Sequence, residues 1–166
     1  MPNVDRTLHL IGIARKAGRL ETGEEPVGAA ARARHARLIL LAADAADNSC
    51  RRATHFGMVG NVLVLQTPYT KAELGVASGR SSCAMMALTD AGLAASIVNK
   101  LAAADPERYG SAAQQLSVRA EQVLKRKKEQ RIHEKNLREG KRKPWAAIPV
   151  RREQKKEASA DVKKKT

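Results

Sequence analysis

The sequence predicts an α/β sandwich followed by a charged, strongly basic extension, and three observations carry this. Short apolar runs at 38–42, 62–65 and 83–88 alternate with stretches of helical periodicity, and strands alternating with helices at this spacing build a layered α/β domain. Helix-start and helix-stop residues fall between the runs. Charge is also segregated. Residues 1–110 hold 13 Lys/Arg against 10 Asp/Glu, a net +3, whereas 111–166 hold 18 against 7, a net +11. At 166 residues the chain has room for one ordinary domain and an appendage.

The elements follow in order. Leu8, Ile11, Ile13 and Ala14 recur at helical spacing, which predicts a first helix over 4–17 with Gly18 as its stop. Thr22-Gly-Glu-Glu25 reads as a capping box, with Pro26 tolerated in the first turn of a helix running to Arg34. Leu38-Ile-Leu-Leu-Ala42 is a continuous apolar run, the pattern of a strand buried on both faces. A third helix is expected over 46–56, stopping near Gly57 and Gly60, before a second buried strand at 62–65. Pro68 and Thr70 open a short helix through Ala77, closed by Gly79. Cys83-Ala-Met-Met-Ala-Leu88 is a third strand, whose Met85 and Met86 should face opposite sides. Asp90 caps a fifth helix through Ala104, and Asp105-Pro106 marks the expected domain boundary. Beyond Ser111, Leu116, Val123, Leu124, Ile132 and Leu137 are too sparse for a second core. The chain therefore divides into a domain at 1–105, a charged helical extension at 106–140 and a disordered basic tail at 141–166.

Composition narrows the function. Eleven net positive charges in 56 residues favour a polyanion, because basic side chains that neutralise phosphates release counterions. The basic segment has few large apolar residues to insert into a membrane surface, and no apolar stretch approaches the roughly 18 residues of a span. One Trp, one Phe and two Tyr argue against modules that stack single-stranded bases on aromatic platforms. Cys50 and Cys83 are too few for a disulfide framework, and Arg15, Lys16 and Arg19 follow the apolar run 8–14 rather than preceding it as in a signal peptide. The expected compartment is reducing cytoplasm.

Four phrases then converge on a family: Leu8-His-Leu-Ile-Gly-Ile-Ala-Arg-Lys-Ala-Gly-Arg-Leu20, Thr22-Gly-Glu-Glu25, Ala36-Arg-Leu-Ile-Leu-Leu-Ala-Ala-Asp-Ala45 and Lys71-Ala-Glu-Leu-Gly-Val-Ala-Ser-Gly79. In this order and spacing, residues 8–97 resemble the kink-turn-binding ribosomal protein family (the L-seven-Ae and L-thirty-e group), especially its bacterial YlxQ-type members. The resemblance implies a three-layer α/β/α sandwich with a small mixed sheet. It also implies that a sharply bent RNA is bound by the start of the second helix, Gly23-Glu24-Glu25, and by the loop from Ser78 through Gly79, Arg80 and Ser81 to Cys83. Arg37 stands where the family often has a basic residue beside the RNA. Many kink-turn readers have Asn, Glu and Lys where this chain has Glu25, Pro26 and Ala29; YlxQ-type sequences share its Gly-Glu-Glu. The physical logic is that glycine permits close backbone approach and a helix start offers free N–H groups to an anion.

Each candidate has a plainer reading beside it. Glu24 and Glu25 point about 100° apart on a helix, so they suit capping and dipole compensation or RNA contact, not paired acid/base catalysis. Arg37 could be a solvated strand-edge charge, while Arg80 in the Gly-rich loop favours the RNA backbone. Arg15, Lys16 and Arg19 could extend the same basic rim; Arg51 and Arg52 read as ordinary solvated charges. Cys50 and His55 lack a recognisable zinc spacing, and Cys83 reads as a small core residue. In the extension, Lys125, Arg126, Lys127 and Lys128, with Lys141, Arg142 and Lys143, are expected to make sequence-independent phosphate contacts, and Trp145 to anchor the tail.

The combined expectation is a non-enzymatic RNA-binding protein of the ribosome or its assembly apparatus. Its partners would be RNA, ribosomal RNA first, and ribosomal proteins, with no cofactor, metal or membrane. The alternative is a protein-interaction module of the same fold, favoured by the acidic Gly-Glu-Glu and disfavoured by the basic extension. An enzyme fragment is disfavoured because 111–166 cannot supply a catalytic domain.

Overall fold

In chain order the elements are α1 (Pro2–Lys16), β1 (Leu20–Thr22), α2 (Glu24–Arg32), β2 (Leu38–Leu41), α3 (Asp47–Gly60), β3 (Leu63–Gln66), α4 (Lys71–Ser78), β4 (Met85–Leu88), α5 (Ala91–Ala104) and α6 (Pro106–Arg138). They come from a computed structural model that describes residues 2–140, with side chains from Arg6 onward. Lys141, Arg142, Lys143 and Trp145 lie outside the described residues.

The apolar runs become the sheet. Its order is β1-β4-β2-β3, with β2 and β3 parallel and the other pairs antiparallel. All four residues of β2 and of β4 are buried, and strand alternation divides them between two cores. Leu38, Leu40, Met86 and Leu88 face a core shared with Ile11 of α1, Leu74 of α4 and Ile97, Val98 and Leu101 of α5. Ile39, Leu41, Met85 and Ala87 face a smaller core with Val27 and Ala30 of α2 and Ala53 of α3. Helices therefore cover both faces of a small mixed sheet, a three-layer α/β/α sandwich, and Met85 and Met86 point to opposite sides as expected.

Three local expectations are corrected. Thr22 does not cap α2: it pairs with Met86 in the unanticipated strand β1, and Gly23 is the N-cap, at φ 95° and without a side-chain acceptor. Three residues were too few to register as a strand pattern. Gly57 does not stop α3, which continues to Gly60 and is closed by Asn61 in the left-handed conformation. A Cβ on Gly57 would lie 2.9 Å from the Val62 carbonyl oxygen and one on Gly60 2.8 Å from that of Ala31, so these glycines serve close packing rather than termination. The strand at 83–88 begins only at Met85, because Cys83 belongs to the preceding loop.

The largest correction is the domain boundary. The first compact unit runs to Val123, not 105. Tyr109, Ala112, Ala113, Leu116 and Ala120 of α6 are buried in the larger core. The Tyr109 hydroxyl donates to the Gln66 carbonyl at 2.6 Å, tying α6 to strand β3, and Ser117 hydrogen-bonds Asn99 of α5 at 3.4 Å. Alanines at helical spacing bury as effectively as the larger residues whose sparseness suggested a boundary. From Leu124 a second unit begins, in which α6 continues to Arg138 with Leu124, Ile132 and Leu137 exposed. No helix among the described residues is long and apolar enough to cross a membrane.

Candidate nucleic-acid interface

The row of residues at one end of the sheet ends β1 and begins β4. There the Gly23 N–H donates to the Met85 carbonyl at 3.1 Å, fixing the start of α2 beside the start of β4. The loop joining α4 to β4 folds onto the same place. Thr70 and Glu73 form a complete capping box at the start of α4, and Gly79 ends it at φ 74°. The chain then doubles back: the Arg80 N–H donates to the Gly75 carbonyl at 2.7 Å and the Cys83 N–H to the Lys71 carbonyl at 3.0 Å. This turn is tight enough that a Cβ on Gly75 would lie 2.7 Å from the Ser82 nitrogen and 2.9 Å from the Arg80 carbonyl oxygen. Gly75, a glycine inside a helical pattern, is therefore what lets the loop close, and its position in that pattern was the signal.

Two guanidinium groups sit on the glycines. A Cβ on Gly23 would lie 3.4 Å from Arg80 Nη1, and one on Gly79 would overlap the Arg15 guanidinium. The structure thus brings together Gly23, Gly79, Arg80 and Arg15, residues up to 65 positions apart in sequence. Arg15, Arg80 and Ser81 are exposed. Glu24 forms an ion pair with Arg52 of α3, which sequence reasoning had set aside as ordinary solvation. Glu25 is exposed, one turn before exposed Ala29, and is in no ion pair among the described residues.

Beneath this surface lies Cys83, 4% exposed. Burial pushes its thiol pKa up, against smaller opposing influences from the Gly23 backbone, the Arg80 charge and the Ser78 and Met85 hydrogen bonds. Its thiol donates to the Met85 carbonyl at 3.0 Å, so it is a neutral packing residue. Ser78, expected at the RNA, is instead buried, and its hydroxyl donates to the Gly75 carbonyl at 3.1 Å, because a residue at the last turn of α4 must satisfy itself internally where the loop folds over it. Arg37 and Arg19 are not brought to this site. Arg37 precedes Leu38, whose row across the sheet is Leu20, Leu88, Leu38 and Leu63, the opposite end from Gly23.

In the second unit, Lys125, Arg126, Lys127 and Lys128 are all exposed on α6. Successive helical residues turn by about 100°, so the four cations surround the helix instead of lining one face. Cys50 and His55 lie on α3, and no group of three His, Cys, Asp or Glu poised for a metal occurs among the described residues.

No family model matches the chain. It is 30% identical over 96 residues to RNA-binding protein YlxQ of Bacillus subtilis (strain 168), covering 55% of this chain and 91% of that relative. Among solved structures it resembles a protein of unknown function from Bacillus halodurans C, with a TM-score of 0.54 and 25% identity, over 57% of this chain and 95% of the other. A Giardia lamblia 15.5kD RNA binding protein aligns with a TM-score of 0.49 and 19% identity, over 62% of this chain and 90% of that one. Identity at this level across nine-tenths of YlxQ, on a three-layer sandwich with a glycine at each of the two turns that meet, makes the chain a member of the YlxQ family of the L-seven-Ae group.

Proposed function

We propose that the protein is a non-enzymatic RNA-binding protein, ribosomal or ribosome-associated, that reads a structured RNA with the surface around Gly23, Glu25, Gly79 and Arg80 and holds phosphates with its basic extension. The observation that carries this reading is the meeting of two glycine turns under two exposed guanidinium groups. Glycine backbones allow an RNA to approach closely, the uncapped N–H groups at the start of α2 suit an anion, and Arg15 and Arg80 supply charge-assisted contacts. The ion pair to Arg52 offsets the Glu24 carboxylate, which would otherwise repel phosphate. Glu25 offers acceptors to base-edge N–H groups. The family relative that is named an RNA-binding protein supports the same partner.

The side chains at this surface supply charge and hydrogen bonds without an activated nucleophile. Cys83 is buried with a raised thiol pKa, and Glu24 and Glu25 diverge. The net +11 of residues 111–166 adds sequence-independent affinity, in cytoplasm where ribosomal RNA is the abundant target.

The test is salt-dependent binding of the full chain to a kink-turn RNA and to a matched plain duplex. A preference of about tenfold or more for the bent RNA, reduced in a Gly79→Val variant that keeps its fold, supports the reading. Equal, steeply salt-dependent binding to both leaves the tail as the only binder and overturns recognition by the folded domain.

A further inference from the structure

The end of the sheet opposite Gly23 carries its own cluster of cations. Strand register places Leu20, Leu88, Leu38 and Leu63 in one row across β1, β4, β2 and β3. In the next row outward, the Arg19 carbonyl accepts from Thr89 N–H at 3.0 Å and Arg37 N–H donates to the Leu88 carbonyl at 2.6 Å. Arg19 and Arg37 thus flank the end of β4 from either side, two strand spacings or about 10 Å apart. Arg34, in the turn that leads from α2 into β2, lies at the same end of the sheet. All three side chains are exposed, and none forms an ion pair among the described residues. Two carboxylates lie at this end: Asp90, which caps α5 by accepting from Gly92 N–H at 2.8 Å, and Glu21 of β1, two residues after Arg19 and paired with Ala87.

Arg34 also closes α2 as its left-handed residue, its N–H donating to the Ala31 carbonyl at 3.0 Å and the His35 N–H to the Ala30 carbonyl at 2.9 Å. Its φ is 58°, a left-handed conformation that glycine adopts freely and a side chain adopts at a cost of about 1 kcal/mol.

We propose that Arg19, Arg34 and Arg37 form a second phosphate-binding surface, which grips another arm of the RNA held at the Gly23 end. The inference rests on the RNA-binding reading above and adds a bivalent mode to it. Strands β2 and β4 run four residues between the two ends, about 13 Å. Along β2 and β4 that is too far for one phosphate to serve Gly23 and Arg37 together, and near enough for two arms of one bent RNA; on the α1 side the two surfaces adjoin, since Arg15 and Arg19 are one helical turn apart. Three guanidinium groups in no ion pair among the described residues, against two carboxylates of which Asp90 is engaged in capping α5, suit the phosphate oxygens of a backbone and carry no base readout.

The experiment compares three full-length proteins: the wild type, R19Q/R34G/R37Q, and a control, R6Q/K100Q/R119Q, of the same net charge. Arg34→Gly removes the charge while relaxing the backbone, and thermal melts confirm folding. The probes are a kink-turn RNA with both flanking helices and the same RNA cut back to the bend and one helix. The expected result is that the R19Q/R34G/R37Q protein loses about tenfold or more in affinity for the long RNA, with a salt slope shallower by about 2–3 than the control's, and binds the short RNA as the control does. Equal binding of patch variant and control to the long RNA overturns the second surface and leaves the Gly23 site standing. A wild type that binds neither RNA above plain duplex overturns both.

Discussion

Arg52 of α3 forms an ion pair with Glu24 at the first residue of α2, bridging two helices on the same side of the sheet. Both side chains are partly exposed, so the pair contributes at most about 1 kcal/mol to stability. Its effect on RNA should be larger, because it sets the charge of the proposed binding surface. Arg52→Ala is expected to lower affinity for structured RNA about three- to tenfold with a nearly unchanged melting temperature, and Glu24→Gln in the same chain to restore most of it. Fluorescence anisotropy across the double-mutant cycle checks this; additive losses would show that the two charges act separately.

Gly75→Ala and Gly79→Ala should separate two requirements of the loop. Gly79 needs its left-handed φ, and alanine there costs about 1 kcal/mol and displaces the Arg15 guanidinium. Gly75 has ordinary helical geometry, and alanine would favour the helix by up to about 1 kcal/mol, but its methyl group meets the Ser82 and Arg80 backbone. Gly75→Ala is expected to push residues 80–82 outward. The bent-RNA preference should then fall while affinity for plain duplex holds, as paired binding titrations would show.

Truncation should succeed at Val123 and fail at Asp105. A 1–123 chain keeps Tyr109, Leu116 and Ala120 in the core and should melt cooperatively near the full-length temperature. A 1–105 chain uncovers the faces these residues bury, a loss of about 4–6 kcal/mol, comparable with the whole stability of a small domain. Circular dichroism melts of the two truncations decide it.

Stability should decline in alkali. Burial raises the thiol pKa of Cys83 above 9.0 and the phenol pKa of Tyr109 above 10.0 in the folded chain. The folded state therefore holds protons that the unfolded state releases. Stability is retained below about pH 9 and is lost as pH rises through the folded values. Cys83→Ala should flatten the first part of this decline in urea titrations between pH 8 and 10.

The layered fold was legible because β2 and β4 are buried on both faces and therefore read as unbroken apolar runs. Strand β1 was not, since Leu20-Glu-Thr22 carries two polar residues and owes its conformation to β4. The glycine turns of the proposed site were singled out through family phrases. Arg52 was missed because nothing local marks a cation whose partner lies 28 positions earlier. The end of the sheet that Arg37 occupies was not legible for a related reason. Proximity to a strand start gives no hint of which end of the sheet that start occupies; only the antiparallel register with β4 does. Likewise, α6 looked like an appendage because its buried positions are mostly alanines.

The Tyr109 bond to Gln66 joins residues 43 positions apart, and it bears on the order in which the chain is made. Synthesis delivers α5 before the part of α6 that covers the same core. Between the appearance of Leu101 and that of Ala120, at about 5–20 residues per second, a nascent chain carries an uncovered apolar face for about 1–4 seconds. During that interval the half-built sandwich is vulnerable to self-association. The fold becomes safe only when the start of the long helix has emerged, while the basic end of the protein is still being translated.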